Sequence, residues 1–453
     1  IRLSIDLNLQ NAAQQVVNAE LPSGQGLPTA SLVAISNKTG EVRAMISGNG
    51  DYQTTPFNLA TMGARQPGSS FKIFTLAAAL SSGISPYYQI DSHQLTIHFA
   101  KIHGNAFAAS NGTGNFPVHN FGNAYSGLIP LTTATAISDN SYFAQLGMKI
   151  GTKAIANYAR LMGIRSPIST NPSMILGGLR YGVSALDMAH AYSTVANGGV
   201  KLYNPKLGND LGPVGIDSIS GCVPCDRRNI DNVTTLVHDR VITHDVASTI
   251  NQLLHGPVDD SYGTGTAAAI PGVDVAGKTG TTSNYIDAWF VGWTPQMTVA
   301  VWVGYPNSGK PMTTQYGGHP VEGGTYPAVI WHNFMVGALQ ILQSEASSRR
   351  SRASTVTTNL TTNAYTQASG GSGIVNSTAT TQTSQSKQAT GAVTQPAQSA
   401  TNPAANPAGT GGSSAGGSAS TTPNQSQTLP QTSAPPPSSS DTPTTSSNGG
   451  TGL

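Results

Sequence analysis

Charged residues are scarce in this sequence. Lysine, arginine, aspartate and glutamate make up 9% of its 453 residues, and the formal net charge at pH 7 is +2. A balance so close to neutral gives no electrostatic case for binding nucleic acid or an anionic surface. No apolar run approaches the ~18 residues that a membrane-spanning helix needs. The chain starts at Ile1 without a signal-peptide pattern, so we expect an upstream region, with any membrane anchor, to be missing.

Cysteine is almost absent. Cys222 and Cys225 lie in "GCVPCDRRN", within a stretch rich in Gly, Pro and Asp that we predict to be an irregular insert over 203–237. His238 and His244 follow at a spacing that resembles a zinc site. The hydrophobic positions of a zinc finger are missing, and His244 falls at the predicted cap of a helix. A disulfide between the cysteines is therefore favoured, with two free thiols as the alternative, and we predict no metal and no cofactor.

The end of the chain has few charged and few large apolar residues. After Arg352 the charged residues are Lys387 and Asp441, and the rest is mostly Ser, Thr, Gly, Pro, Ala, Asn and Gln. Such a segment cannot bury enough apolar surface to offset the entropy lost on ordering. We predict a folded domain over 1–345 and a disordered tail over 346–453.

The folded part alternates between strand and helix patterns. Residues 30–48 read as two strands with a turn at Lys38-Thr39-Gly40, and "VDVAGKTGTT", "DAWFVGWT" and "MTVAVWVGY" read as three consecutive strands. Helical patterns run from Ser69 to Gly83, on both sides of "SDN", and through "SALDMAHAYSTVANGG". This arrangement predicts an α/β fold (an α+β sandwich), with an antiparallel sheet flanked by helices.

A first candidate site is Ser69-Ser70-Phe71-Lys72. Pro67-Gly68 precedes it, which places Ser69 at a helix N-terminus. Positions i and i+3 share a helix face, so Ser69 Oγ is expected near Lys72 Nζ, and the free N–H groups there suit an oxyanion. Taken alone, the motif is explained better by a serine that caps a helix and a lysine exposed to solvent than by a reactive serine with a nearby base.

Two further motifs follow. Ser138-Asp139-Asn140 lies between two predicted helices. The alternative to a functional role is that these residues only end one helix and start the next. Lys278-Thr279-Gly280-Thr281 lies on a predicted strand. A glycine inside a strand often marks the close approach of another backbone, and an edge with Lys and Thr suits a peptide that ends in a carboxylate. The alternative is an edge strand whose lysine prevents pairing with the strand of another chain.

Taken together, the three motifs resemble a known set. S-x-x-K, S-D-N and K-T-G, in this order, are typical of penicillin-binding proteins and class A β-lactamases. The stretches "FNLATMGARQPGSSFKIF", "LGGLRYGVSALDMAHAYSTVANGG", "GTGTAAAIPGVDVAGKTGTTSNYIDAWFVGWTP" and "GGTYPAVIWHNFM" resemble the transpeptidase domain of class A penicillin-binding proteins. The resemblance implies the penicillin-binding transpeptidase (serine β-lactamase-like) fold over most of residues 1–340. The cysteine-containing insert and the tail depart from the family pattern.

The resemblance also implies roles for single residues. Ser69 would be the nucleophile and Lys72 its base, while Ser138 would pass a proton to the leaving nitrogen. Asn140 would bind the substrate amide and Lys72, and Lys278 would be the electrostatic partner of Lys72. Thr279, Gly280 and Thr281 would bind the substrate, with the two threonine hydroxyls on its carboxylate. The backbone N–H groups of Ser69 and Thr281 would form the oxyanion hole.

These roles imply an enzyme of the bacterial cell envelope. It would cross-link peptidoglycan stem peptides ending in D-Ala-D-Ala through a Ser69 ester, and β-lactams would acylate it. Its place would be the extracytoplasmic face of the cytoplasmic membrane, with an upstream glycosyltransferase domain and an anchor. A D,D-carboxypeptidase, a β-lactamase and a non-catalytic β-lactam sensor remain as alternatives. No glutamate lies between the second and third motifs to serve as a β-lactamase base.

Overall fold

The computed structural model describes residues 1–48, 53, 56–98, 115–204, 212–218 and 236–368, with side chains up to Ser351. The helices are α1 (Leu7–Glu20), α2 (Leu59–Met62), α3 (Lys72–Ser81), α4 (Leu131–Ala136), α5 (Asn140–Ile150), α6 (Thr152–Met162), α7 (Ala185–Ala196), α8 (His244–Asp259) and α9 (Tyr326–Ala368). The strands are β1 (Arg2–Leu3), β2 (Thr29–Ser36), β3 (Val42–Ser47), β4 (Gln89–Ser92), β5 (Leu95–His98), β6 (Asn115–Val118), β7 (Gly127–Pro130), β8 (Val200–Tyr203), β9 (Ile216–Ser218), β10 (Val237–Arg240), β11 (Ala276–Thr281), β12 (Asp287–Trp293) and β13 (Met297–Gly304).

A five-stranded sheet forms the centre of the fold. Its strand order is β11-β12-β13-β2-β3, and every neighbouring pair is antiparallel. Val299, Val301 and Val303 of β13 enter one apolar core, while Ala300 and Trp302 enter the other. Because successive side chains of a strand point to opposite faces, both faces of this sheet are buried. The antiparallel sheet predicted from the sequence is confirmed.

Helices cover both faces of the sheet. Helices α1 and α9 pack together on one side, where α9 contacts β12 and β13. Helix α7 packs against β2, β12 and β13 on the other side. Helices α6 and α8 contact α7, and α3 contacts α6 and α8. The fold is therefore mixed α/β with a sheet between two helical layers, as predicted.

The ends of α7 and α8 follow local sequence signals. Ser184 and Asp187 form a capping box at the start of α7, each side chain accepting the backbone N–H of the other residue. Gly198 and Gly199, with φ of 63° and 89°, end the same helix. Thr243, and not His244, caps α8, because its side chain accepts the N–H of Val246.

The described parts of the predicted insert include short strands. Strand β9 pairs with β1, and β10, which starts at the end of the 203–237 stretch, pairs with β8, so these parts belong to two small antiparallel sheets. The irregular composition hid these strands because each is only three or four residues long. Cys222 and Cys225 lie outside the described residues.

The C-terminal helix passes the predicted domain boundary. Helix α9 continues beyond residue 345 to Ala368. Residues 346–368 contain neither proline nor glycine, so nothing in them stops a helix that is already started. The remainder of the predicted disordered tail lies outside the described residues. Within the part that the structure describes, no helix is long and apolar enough to span a bilayer.

Candidate active site

Ser69 lies in a tight turn before a buried helix. Residues Gly68–Phe71 form a 3₁₀ turn that runs directly into α3. The hydroxyl of Ser70 is buried and donates to Pro67 O at 2.7 Å, so its hydrogen is already engaged in a bond within the turn. The side chain of Ser69 is only half-buried and has no hydrogen-bond partner among the described residues. Of the two serines, Ser69 is therefore the one available for chemistry.

Lys72 reaches the second motif instead of Ser69. Its Nζ donates to the backbone oxygen of Ser138 at 2.7 Å and to Asn140 Oδ1 at 2.7 Å. Ser138 Oγ lies 3.2 Å from the same nitrogen. Within the described part of the chain no hydrogen bond joins Lys72 Nζ to Ser69 Oγ, although helical spacing predicted that they would be close. The first and second motifs thus meet at the lysine.

The second motif is a strained loop between α4 and α5. Ser138 has φ 57°, a left-handed conformation that costs a non-glycine residue about 1 kcal/mol or more. Asp139 caps α5 by accepting the N–H of Tyr142 at 2.7 Å. Asn140 Nδ2 donates to His119 O at 2.8 Å, which turns Oδ1 of the same amide toward Lys72.

Sequence reasoning missed the residues that hold this loop. Asn120 and His119 belong to the β6–β7 connection, and their hydrogen bonds to the motif span 19 to 21 positions of sequence. No spacing rule connects residues so far apart in a loop. A signal of this kind is visible only in three dimensions.

The third motif forms the edge strand β11. Lys278 is 1% exposed, and its Nζ makes long contacts, to Thr279 O at 3.3 Å and Thr279 Oγ1 at 3.5 Å. Thr279 Oγ1 lies 2.7 Å from Thr264 Oγ1. Thr281 Oγ1 accepts the N–H of Gly323 at 3.0 Å, so its own proton remains free to be donated.

Gly280 allows β11 to lie against the Ser69 turn. A Cβ at Gly280 would come within 2.3 Å of Pro67 O, and one at Gly68 within 2.9 Å of Thr281 O. The close backbone approach inferred from a glycine inside a strand is therefore present. Thr282 N–H donates to Asp287 O in the neighbouring strand. Because N–H directions alternate along an antiparallel strand, the N–H of Thr281 points away from that strand, toward the turn.

The far side of the turn carries another segment. Gly177 packs directly on the backbone of Gly68, and Gln66 exchanges two side-chain hydrogen bonds with the backbone of Leu179, at 2.9 and 2.7 Å. Ser69 is thus flanked by β11 on one side and by residues 177–179 on the other. Residues 163–184 contain no Asp or Glu.

The two site lysines are both held in surroundings that disfavour their charge. Burial lowers the pKa of Lys72 well below its ordinary value, the charge of Lys278 lowers it further, and the Asp139 carboxylate raises it in part. Burial lowers the pKa of Lys278 to about 7. A neutral amine at Lys72 can accept a proton, which is the property that a serine nucleophile requires of its neighbour.

Comparison with known proteins agrees with this geometry. Residues 30–323 match the family described as penicillin binding protein transpeptidase domain. The chain belongs to the penicillin-binding protein transpeptidase family. All three motifs lie within the matched range, and the class A relationship expected from the sequence is supported by the names of its relatives.

Two relatives and one solved structure illustrate the similarity. Penicillin-binding protein 1A of Neisseria cinerea is 31% identical over 315 residues, covering 69% of this chain and 36% of the relative. Penicillin-binding protein 2D of Bacillus subtilis is 27% identical over 343 residues, covering 74% of this chain and 45% of the relative. PonA1 of Mycobacterium tuberculosis, solved with penicillin V, superposes with a TM-score of 0.59 at 28% identity, covering 75% of this chain and 85% of that one. The chain therefore spans less than half the length of these two curated relatives.

Proposed function

We propose that this domain is a serine-type D-Ala-D-Ala transpeptidase that works through a Ser69 ester and is acylated by β-lactams. The observation that carries the proposal is the convergence of Lys72, Ser138 and Asn140 beside a half-buried serine. The family supplies the transpeptidase role, and the D-Ala-D-Ala specificity is our inference from the motifs.

In the first step, Ser69 Oγ attacks the carbonyl carbon of the penultimate D-Ala while its proton passes to neutral Lys72. The C–N bond to the terminal D-Ala then breaks, and the leaving nitrogen takes a proton from Lys72 by way of Ser138 Oγ. The 3.2 Å contact between Lys72 Nζ and Ser138 Oγ supports this route. In apo sites such contacts often tighten only with substrate, so the missing Ser69–Lys72 bond does not oppose it.

The negative charge that develops on the carbonyl oxygen needs fixed donors. The N–H groups of Ser69 and Thr281 are proposed for this role, because β11 runs along the edge of the Ser69 turn. Each such donor contributes about 3 kcal/mol to transition-state stabilisation. The carboxylate of the terminal D-Ala would bind the hydroxyl groups of Thr279 and Thr281, close to Lys278.

In the second step, an amine of a neighbouring stem peptide attacks the Ser69 ester. The peptide bond forms, the ester bond breaks, and Ser69 regains its proton. Splitting the exchange into two acyl transfers keeps the bond energy in the ester until the amine arrives. The partners are peptidoglycan stem peptides and β-lactams, and the place of action is the outer face of the cytoplasmic membrane in the bacterial envelope.

The decisive experiment supplies a stem-peptide donor ending in D-Ala-D-Ala, with and without an amine acceptor. A transpeptidase releases D-Ala and joins donor to acceptor, with both products depending on Ser69. A carboxypeptidase releases D-Ala at the same rate without acceptor and forms no joined product. Penicillin labelling that persists without any D-Ala release would favour the sensor alternative, whereas labelling followed by turnover of the drug would favour the β-lactamase.

A further inference from the structure

The amide of Asn120 is fully used by the loop of the second motif. Its Oδ1 accepts the backbone N–H groups of Asn140 at 2.8 Å and Ser141 at 2.9 Å. Its Nδ2 donates to Asp139 Oδ2 at 2.7 Å and to Ala124 O at 2.8 Å. The side chain is 8% exposed, so water cannot easily replace these partners.

These bonds satisfy the open end of α5. The first N–H groups of a helix have no partner inside the helix. Asp139 Oδ1 accepts the N–H of Tyr142, and Asn120 accepts the two before it. Asn120 and Asp139 therefore act as one joint cap, linked to each other by the 2.7 Å bond between Nδ2 and Oδ2.

The same cap bears on the reactive lysine. Ser138 immediately precedes it with φ 57°, a conformation that persists only where surrounding contacts impose it. Ser138 O and Asn140 Oδ1 are the two nearest partners of Lys72 Nζ, each at 2.7 Å. Their positions follow from how the loop is held, because Ser138 O is a backbone atom of the loop and Asn140 is the first residue of α5.

We propose that Asn120 is a positioning residue for acylation at Ser69. It holds the second-motif loop so that Ser138 and Asn140 receive Lys72, without touching the lysine or the substrate itself. The inference rests on the proposed function for its effect on rate, but the clamp itself is a property of the fold.

Exchanging the two capping residues tests the clamp. In Asn120→Asp an oxygen replaces the donor that faces Asp139 Oδ2, and in Asp139→Asn two amide nitrogens face each other. Either misplaces the loop, and we expect penicillin acylation to slow by about tenfold or more. The double variant restores an N–H···O bond in the reverse direction and keeps one negative charge, but a carboxylate at position 120 cannot donate to Ala124 O. We therefore expect it to acylate faster than either single variant, without fully reaching the rate of the unchanged protein.

Amide hydrogen exchange gives a measurement that does not depend on activity. The N–H groups of Asn140 and Ser141 should exchange faster in each single variant and return to slow exchange in the double variant. Asn123→Gly is the matched control. Asn123 lies exposed in the same loop, its φ of 55° suits glycine, and its side chain makes no hydrogen bond to the described residues, so neither measurement should change.

The outcomes separate the proposals. A double variant as slow as the two single effects combined would overturn the clamp. Faster exchange in Asn120→Asp with unchanged acylation would show that the loop is held there without positioning the chemistry, which also overturns the inference. If the unchanged protein is never labelled, the proposed function fails, while the exchange pattern still reports whether Asn120 holds the loop.

Discussion

Lys72 Nζ lies 2.7 Å from Asn140 Oδ1, so the lysine of the first motif is bound to the asparagine of the second. Ser138 O lies at the same distance from this nitrogen. Both oxygens accept hydrogen bonds from the ammonium group, but neither carries a negative charge that would neutralise it. Burial and the charge of Lys278 lower the pKa of Lys72, and the Asp139 carboxylate only partly opposes them. The site thus keeps a lysine ordered while making its proton easy to lose, and the predictions below depend on this balance.

Ser69→Ala should abolish covalent labelling by penicillin and leave the unfolding temperature nearly unchanged, because its side chain is half-buried and makes no hydrogen bond to the described residues. Ser70→Ala is the matched control. It removes the 2.7 Å bond to Pro67 O and should cost about 1 kcal/mol of stability, yet labelling should remain complete. Intact-mass spectrometry and a thermal melt measure both effects. Labelling that survives in Ser69→Ala would show that the nucleophile is assigned to the wrong residue.

Lys278→Met should move the pH profile of acylation. In the proposed mechanism the rate of acylation requires neutral Lys72, so we expect it to fall as the pH drops through the Lys72 pKa. Removing the charge of Lys278 raises that pKa, so the acid limb should shift to higher pH, independently of any loss in maximal rate. Lys201→Met is the control, because Lys201 is also buried but pairs with Asp239 and does not act on Lys72. An acid limb that stays in place would remove Lys278 from its role as electrostatic partner.

The same variant should be more stable than the unchanged protein at neutral and lower pH. The folded-state pKa of Lys278, about 7, lies below the ordinary value of 10.5. The unfolded chain therefore binds more protons between these values, and the stability of the unchanged protein rises with pH across that window. Lys278→Met does not carry the cost of a buried charge at this position, so its advantage in melting temperature should be largest at or below pH 7 and shrink as the pH rises. Melts at several pH values test this, and an advantage that grows with pH would contradict it.

The penicilloyl adduct should persist for hours. The segment that packs against Gly68 contains no carboxylate to activate a deacylating water. Glu322 precedes Gly323, whose N–H binds Thr281 Oγ1, so Glu322→Gln is the matched test of a nearby carboxylate and should leave the lifetime unchanged. Intact mass followed over time measures the adduct. Rapid loss with turnover of free drug would favour the β-lactamase alternative.

The sequence predicted the features that depend on local patterns. The strands β11, β12 and β13 follow from runs of apolar residues broken by turn residues. The helix after Pro67-Gly68 follows from the Pro and Gly residues that mark its ends. The close approach at Gly280 could be inferred because a glycine weakens a strand and often marks the place where another backbone comes near. These elements place two of the three motifs without any knowledge of the fold.

The remainder depends on contacts between distant residues. Asn120 holds the second motif, and residues 177–179 flank Ser69, yet neither segment carries a recognisable spacing. The helical rule placed Lys72 next to Ser69, but a long flexible side chain can bind any acceptor within its reach, and here Lys72 binds Ser138 and Asn140. The end of α9 was missed because low apolar content was taken to exclude helix, although extending a helix that has already started costs less than nucleating a new one.

Gly280→Ala should damage stability and chemistry together. Its Cβ would lie 2.3 Å from Pro67 O and 3.1 Å from Ser70 N, both backbone atoms that cannot rotate away. Either β11 or the Ser69 turn must shift, at a cost of about 1–3 kcal/mol. The shift also moves Thr281 N–H from Ser69, so acylation should slow by about 10²-fold.

Gly337→Ala in α9, where a Cβ meets nothing within 4 Å, should instead stabilise the fold by up to about 1 kcal/mol with no effect on acylation. Melting temperature and second-order acylation rate measure both variants. If Gly280→Ala lowers the melting temperature but acylates at the rate of the unchanged protein, the edge of β11 does not supply the oxyanion donor.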